Sequence, residues 1–406
     1  MKKTVKERLS SGLPLFLVPL IGLVASCAAP SEPNEPAISA QLAGPQKAAV
    51  NAWSFARPIT INHGQVPNTD QINFPVLVSG LYKDLRTKPN GGKVQNASGY
   101  DVGFYTDPHC LTGKLSWETE KYTAQTGEVV YWVEVPLVSH TKNTVFYMCY
   151  GNASITTDQS AAASVWDSNY LAVWHLADNG GLVLSSSTAN DFTFTNSGPV
   201  ISGPGKIGGG TAKFLNNTYY LFNGAISVAP DAPVTVSMWK KLLASDSLGN
   251  PDFPPPNTDG NHISFAMGAN HDDENSILLW APYFGVAYWC HDSCGAVVSF
   301  AGYYDRWVYI TGIYDPAANQ LQALYLDGKL VASGTNGAAP TGTILGARIG
   351  QALNTVADPG PHGEDVSAFD EIRISTTVRS ADWIKTEFNN QNKPSTFYAV
   401  GGEKHP

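Results

Sequence analysis

The residues with the clearest chemical potential are carboxylates at short spacing. Glu118 and Glu120 stand one residue apart in Trp117-Glu118-Thr119-Glu120, so a strand places both on one face and close enough to cooperate. Two carboxylates about 5 to 9.5 Å apart are what hydrolysis of a glycosidic bond requires. A solvated strand face accounts for the same pair without any chemistry. A second acidic group gathers Glu364, Asp365, Asp370 and Glu371, and a third is His271-Asp272-Asp273-Glu274, followed by His291-Asp292 inside Cys290-His291-Asp292-Ser293-Cys294. Imidazole, carboxylate and, if reduced, thiolate are zinc donors. The spacing follows no familiar zinc pattern, however, and polar loop residues at a sheet rim explain it equally well. No Gly-x-Ser-x-Gly elbow, phosphate loop or dinucleotide fingerprint stands in a supporting context, so nucleophilic and cofactor chemistry find no foothold.

A different chemistry surrounds the same Cys290 to Cys294 segment. Tyr283, Tyr288, Trp289, Tyr303 and Tyr304 crowd near it. Aromatic planes stack on the C–H faces of sugar rings, and His291 and Asp292 supply hydrogen-bonding groups beside them. Core packing is the competing use for each ring. The formal net charge of −9 argues against nucleic acid, whose recognition depends on clustered Lys and Arg. A neutral glycan fits that balance better.

The elements that must position these residues are strands. Only 15% of the chain is charged, and short β-branched or aromatic runs recur between Gly, Pro and Asn turns, the pattern of an all-β protein. The runs Trp53 to Ile61, Phe74 to Val78, Asp101 to Tyr105, Leu115 to Tyr122, Val129 to Val138 and Thr144 to Tyr150 read as strands of a first domain over 52–155. In Tyr131-Trp132-Val133-Glu134-Val135 the odd positions share a core face and Trp132 and Glu134 share the other. Helical periodicity is confined to Ser380 to Asn389, where Ser380 can cap a helix carrying Trp383, Ile384 and Phe388 on one side. Residues 156–165 read as a linker and 166–403 as a second domain. Proline-rich stretches at Ser245 to Asn261 and Asn354 to Glu364 read as loops inserted at its edge.

The N-terminus places this assembly outside the cytosol. Lys2, Lys3, Lys6 and Arg8 lead into the apolar run Leu13 to Ala25, which is about half the roughly 20 residues of a spanning helix and is broken by Pro14 and Pro19. Residues 1–26 therefore read as a removable signal. Val24-Ala25-Ser26-Cys27 resembles a bacterial lipobox, which implies a lipid on Cys27, a membrane contact through that lipid alone and, with Ala28 following, an outer-membrane or cell-surface address. Residues 27–51, poor in large apolar side chains, form a flexible tether of roughly 25 to 30 Å. Export favours disulfides. The economical pairing is Cys110 with Cys149 and Cys290 with Cys294, two other pairings being formally available.

The residues also carry a family resemblance. Phe55-Ala-Arg-Pro-Ile-Thr-Ile61, Phe74-Pro-Val-Leu-Val78, Trp117-Glu-Thr-Glu120, Tyr131-Trp-Val-Glu-Val-Pro136 and Tyr147-Met-Cys-Tyr-Gly-Asn152 resemble an uncharacterised bacterial extracellular β-domain that commonly precedes a laminin-G-like jelly roll. The remainder fits that order. Val165 to Leu176, Gly205-Lys-Ile-Gly208 with Thr211 to Phe214, Val234 to Trp239, Trp307 to Ile310, Leu324 to Lys329 and Phe369-Asp-Glu-Ile-Arg-Ile-Ser375 look like the ordered motifs of a laminin-G-like, concanavalin A-like lectin/glucanase jelly roll. The resemblance implies two antiparallel β-sandwich domains. It also implies calcium, with Asp370 on the terminal strand and Asp191 in the early loop as oxygen donors. The Glu-x-Asp-x-x-Glu strand of the related glucanases is missing. The combined reading is a surface-tethered, non-enzymatic protein whose jelly roll binds carbohydrate or another surface ligand. Its alternatives are a glycoside-active enzyme and a structural adhesion or envelope module.

Overall fold

A computed structural model describes residues 53–176, 185–196, 203–208, 212–213, 221–229, 232–242, 262–267, 277–281, 283–288, 296–299, 303, 305–335, 344–350 and 367–406. The protein is nearly all β, the named strands pair antiparallel among the described residues, and the strands expected from the apolar runs of the first domain form. In the first domain they are β1 (Phe55–Ile61), β2 (Gln71–Leu81), β3 (Val102–Tyr105), β4 (Trp117–Thr123), β5 (Glu128–Val138) and β6 (Thr144–Tyr150). Strands β2-β5-β4 make one sheet, while β1, β6 and β3 belong to a second. Phe74, Val76, Phe104, Tyr131, Val133, Phe146 and Met148 fill the space between them, all buried. The disulfide Cys110–Cys149 crosses a sequence separation of 39 residues, a loop whose closure is worth about 4 kcal/mol in the chain-entropy model.

The second domain continues the strand numbering along the chain: β7 (Tyr170–Trp174), β8 (Thr195–Asn196), β9 (Ala212–Lys213), β10 (Leu221–Val228), β11 (Val234–Leu242), β12 (His262–Met267), β13 (Ile277–Ala281), β14 (Tyr283–Tyr288), β15 (Ala296–Ser299), β16 (Trp307–Asp315), β17 (Leu321–Leu326), β18 (Lys329–Thr335), β19 (Ile344–Ile349) and β20 (Ser367–Ser375). One sheet runs β15-β14-β13-β12-β19-β10-β8; the other runs β18-β17-β16-β11-β20-β7, with β9 also paired to β20. Strand alternation assigns their inner faces. Ala172 and Trp174 of β7, Val236 and Met238 of β11, Ile310 of β16 and Phe369, Ile372 and Ile374 of β20 meet Ile226, Phe265, Met267 and Ile349 of the facing sheet in one buried core.

The opposite face of the second sheet is also dry. Val173, Trp239 and Tyr309, at the alternate positions of β7, β11 and β16, join the first domain's apolar cluster together with Trp383 and Phe397. Helix α1 (Ala381–Asn392) is wedged there, with the Ser380 side chain accepting from the Trp383 amide as its N-cap. Its Trp383 meets Phe74 edge-on at 4.9 Å, and its Gln391 accepts a hydrogen bond of 2.7 Å from the Trp239 indole. The buried side-chain amide of Asn390 accepts from the Leu77 N–H at 2.7 Å and donates to the Leu77 carbonyl at 3.1 Å. It thereby satisfies the open edge of β2 as another strand would. The Tyr398 hydroxyl repeats the device at Ser79, 2.9 Å from both its N–H and its carbonyl.

After α1 and the short helix α2 (Pro394–Phe397), strand β21 (Tyr398–Val400) leaves the jelly roll and pairs with β1. The first domain's second sheet is thus β21-β1-β6-β3. Among the described residues, no helix is long and apolar enough to cross a membrane. The end of the chain is pinned by Glu403, which takes a hydrogen bond of 2.5 Å from the Tyr150 hydroxyl and pairs with Lys93. Burial would raise the Glu403 pKa, but Lys93 and Tyr150 outweigh it and hold it below the usual carboxylate range. A depressed carboxyl stabilises the fold above its unfolded value of about 4.5, and that contribution disappears as pH falls through the lower folded value. The protection factors of amides across the β1–β21 pairing should therefore fall on acidification below about pH 4, and Glu403→Gln should already show the lower protection at neutral pH. Equal protection of the variant and the wild type at neutral pH would mean that Glu403 does not hold this strand.

Candidate functional site

The sandwich contact encloses a cluster of charged side chains, and each arrives there for a local reason. His175 follows Trp174 at the end of β7; since Trp174 faces the jelly-roll core, strand alternation turns the next side chain toward the first domain. In β20 the pairing with β11 slips by one residue between Asp370 and Arg373, and Glu371 takes the left-handed backbone, with φ of 52°. Such a bulge re-aims a side chain. Here it brings Glu371 to the outward side that Arg373 also occupies, although Ile372 between them stays in the core. A matching slip in β4 falls between Thr119 and Lys121, which leaves Glu120 as the extra residue.

The bonds are short and numerous. His175 Nδ1 lies 2.8 Å from Glu371 Oε1 and 3.6 Å from Glu120 Oε2, while its Nε2 lies 3.1 Å from Glu118 Oε2. Glu118 also accepts 3.0 Å from the Trp166 indole and 2.6 Å from the Ser187 hydroxyl. The Trp132 indole donates to Glu120 Oε2 at 2.8 Å, and the Trp132 ring stacks on the His175 ring with centroids 5.6 Å apart. Arg373 donates to Glu371 Oε2 at 2.8 Å and to Glu387 of α1, and its guanidinium lies 4.4 Å from the Trp132 ring. The Glu120 residue as a whole is half-buried because its backbone lies on an edge strand, yet its side chain is only 2% exposed. The carboxylate's own burial governs its electrostatics.

Burial and charge pull these groups apart in proton affinity. Burial, followed by the negative charge of Glu371, pushes Glu120 up to about 8. Burial works against the His175 imidazolium, but Glu371, Glu118 and Glu120 together hold its pKa well above the ordinary range. Glu118 runs the other way: burial raises it, while the charge of His175 and three donated bonds, from His175, Ser187 and Trp166, leave it lowered. Asp370 is raised well above a normal aspartate by burial and by Glu371. Its Oδ2 accepts 2.6 and 2.8 Å bonds from the amides of Lys206 and Ile207.

These positions correct one expectation: Glu118 and Glu120 do not lie on a solvated strand face. The second domain covers that face, and Trp132, on the side opposite the first domain's core, is the tryptophan that seats it. The expected calcium donors sit in different settings, since Asp370 is fully buried on the 206–207 amides while Asp191 is exposed at the end of a turn. Tyr283 and Tyr288 lie on β14, in register with Ser299 and Ile277. Trp289, Cys290, His291, Asp292 and Cys294, with the whole of His271 to Glu274 and both proline-rich stretches, lie outside the described residues. Beside the cluster, a cleft of about 490 Å³ opens between β2, β5 and the 206–208 turn, lined by Ser79, Glu128, Lys206 and Gln391.

Family models match both halves. Residues 98–169 match a domain of unknown function, DUF2341, and residues 214–385 match the concanavalin A-like lectin/glucanases superfamily. The chain carries a concanavalin A-like domain. Among solved structures, it is similar to the receptor-binding domain of botulinum neurotoxin type G, at 12% identity and a TM-score of 0.40 over 55% of this chain and 52% of that one. It is also similar to domain 4 of an extracellular GH43 arabinanase from Geobacillus stearothermophilus, in complex with arabinotriose, at 20% identity and a TM-score of 0.34 over 54% of this chain and 98% of that one. The chain spans about half the length of the neurotoxin domains that it matches. No curated protein matches it.

In the concanavalin A-like domain, Arg373 is the cation that the interdomain carboxylates share, and it is 1% exposed. Replacing it with Met leaves Glu387 buried without its cation and Glu371 with His175 alone. The expected loss is about 3 to 5 kcal/mol in equilibrium denaturation. A loss below about 1 kcal/mol, the range of exposed pairs, would mean that water reaches the cluster.

Proposed function

We propose that the chain is a non-enzymatic binding protein held at the cell surface by a lipid on Cys27, and that its concanavalin A-like domain recognises carbohydrate. The observation that carries this reading is the unequal use of the two jelly-roll sheets. Helix α1 and the first domain pack on the sheet that contains β7, β11, β16 and β20. Among the described residues, no side chain of the facing sheet joins that packing. That facing sheet contains β14, with Tyr283 and Tyr288, and leads directly into Trp289 and the Cys290 to Cys294 segment. Carbohydrate recognition there would rely on ring stacking and a few polar contacts, in keeping with the chain's negative charge.

The first domain then acts as a pedestal, with residues 27–51 joining it to the anchor. The carboxylates Glu118 and Glu120, the pair that hydrolysis would use, are taken up by His175, Ser187 and two indoles. They therefore lend no support to turnover at that position.

A glycan array read together with a reducing-sugar release assay tests the assignment: binding without release is expected. Trp289→Ala should weaken the bound glycan at least tenfold while changing the melting temperature little. A stable variant that binds every wild-type ligand unchanged would move the site elsewhere, and sugar release by the wild type would replace binding with catalysis. For the anchor, Cys27→Ser should shift the protein from the membrane pellet to the soluble fraction. Continued pelleting of that variant would remove the lipid from the account.

A further inference from the structure

We propose that Glu120, His175 and Glu371 bind a divalent transition-metal ion, zinc being the closest chemical fit, at the seam between the two β-domains. The three residues each offer one donor atom, and those atoms all lie within 4.8 Å of one another. A metal about 2.0 to 2.2 Å from each would sit between them without large rearrangement. The imidazole sets the class, because calcium and magnesium prefer oxygen alone whereas zinc takes histidine and carboxylate together.

The surroundings are those of a supported metal site. With Nδ1 on the metal, the other ring nitrogen, Nε2, would carry the proton and donate to Glu118 Oε2 at 3.1 Å. Glu118 is itself fixed by Trp166 and Ser187. A carboxylate behind a ligating histidine, orienting the ring and raising its basicity, is the usual outer shell of zinc. Glu371 has its second oxygen held by Arg373, so its Oε1 would exchange the 2.8 Å contact with His175 Nδ1 for the ion as the Nδ1 proton leaves. Glu120 supplies the independent observation: its Oε1 is buried without any hydrogen-bond partner, although the side chain is only 2% exposed. An orphaned carboxylate oxygen in such a setting is costly, and a cation removes that cost.

The bound ion would join residues from β4, β20 and the end of β7, so it would tie the first domain to the jelly roll. The test uses the full purified chain, stripped with a strong chelator, desalted and titrated with zinc alone. One equivalent should be retained after desalting, as measured by elemental analysis, and the melting temperature should rise with zinc concentration. Glu120→Gln, which keeps the size of the side chain and an oxygen for the Trp132 bond, should lower zinc affinity at least tenfold, as should His175→Gln. No zinc retained by a folded wild-type chain would overturn the proposal, and so would equal retention by both folded variants. If either variant fails to fold, X-ray absorption of the cobalt-substituted wild type decides. One imidazole with carboxylate oxygens supports the site; an all-oxygen shell or several imidazoles rejects it.

Discussion

The structure depends on one electrostatic constraint: charges removed from water must find partners. His175 and Arg373 are placed among Glu118, Glu371 and Glu387 at the contact between two sandwiches. Neither sandwich holds a complete set. The first domain contributes Glu118, Glu120 and the Trp132 face; the jelly roll contributes His175, Glu371 and Arg373; the helix behind it contributes Glu387. Removing the first domain would expose an apolar seam and separate His175 from Glu118 and Glu120, while Glu371, Arg373 and Glu387 kept one another. The domain arrangement therefore has a chemical specification as well as an apolar one, since a rotated or slipped contact would leave carboxylates buried alone.

Helix α1 solves a second constraint at the same place. A three-stranded sheet with β2 at its border presents unpaired backbone groups, which must be satisfied if that border is covered. Asn390 and Tyr398 meet those groups at Leu77 and Ser79, while Gln391 and Phe388 address Trp239 on the other side. One helix with two differently equipped sides thus lets a polar border and an aromatic surface share an interface. Arg379 fixes the approach to this helix through a two-pronged contact with Asp167, at 2.9 and 3.0 Å, where the chain first enters the jelly roll.

Much of the architecture was legible from residue order because strand period and turn chemistry are local. The apolar runs of the first domain marked β1 to β6, and Ser380 marked the start of α1. The cluster was not legible, for reasons equally physical. Alternation placed Glu118 and Glu120 on a common face but carried no information about what lies against that face. The bulges that turn Glu371 and Glu120 arise from pairing register, which depends on strands far away in sequence. Hints did exist. Trp132 stood on the face opposite the core, and Asp370, Glu371 and Arg373 interrupted an otherwise apolar strand whose every residue is buried. Buried charges within such a strand imply partners brought by another element. The aromatic and cysteine-bounded segment after β14 was equally visible in the sequence, and its ligand role rests on the measurements that address Trp289.

The return of β21 to the first sheet bears on how the chain can be made. Synthesis proceeds from the N-terminus, yet Ser79 and Tyr398, which hydrogen-bond across this junction, are 319 residues apart. Until the last strand emerges, the nascent β1 has β6 on one side and nothing on the other, a naked border able to recruit a strand from another molecule. The whole jelly roll must be built during that interval. Such high contact order makes closure slow, so a holding factor that shields β1 during biogenesis would matter more to this protein than to one whose domains finish in sequence, and truncation near the C-terminus would injure the first domain before the second.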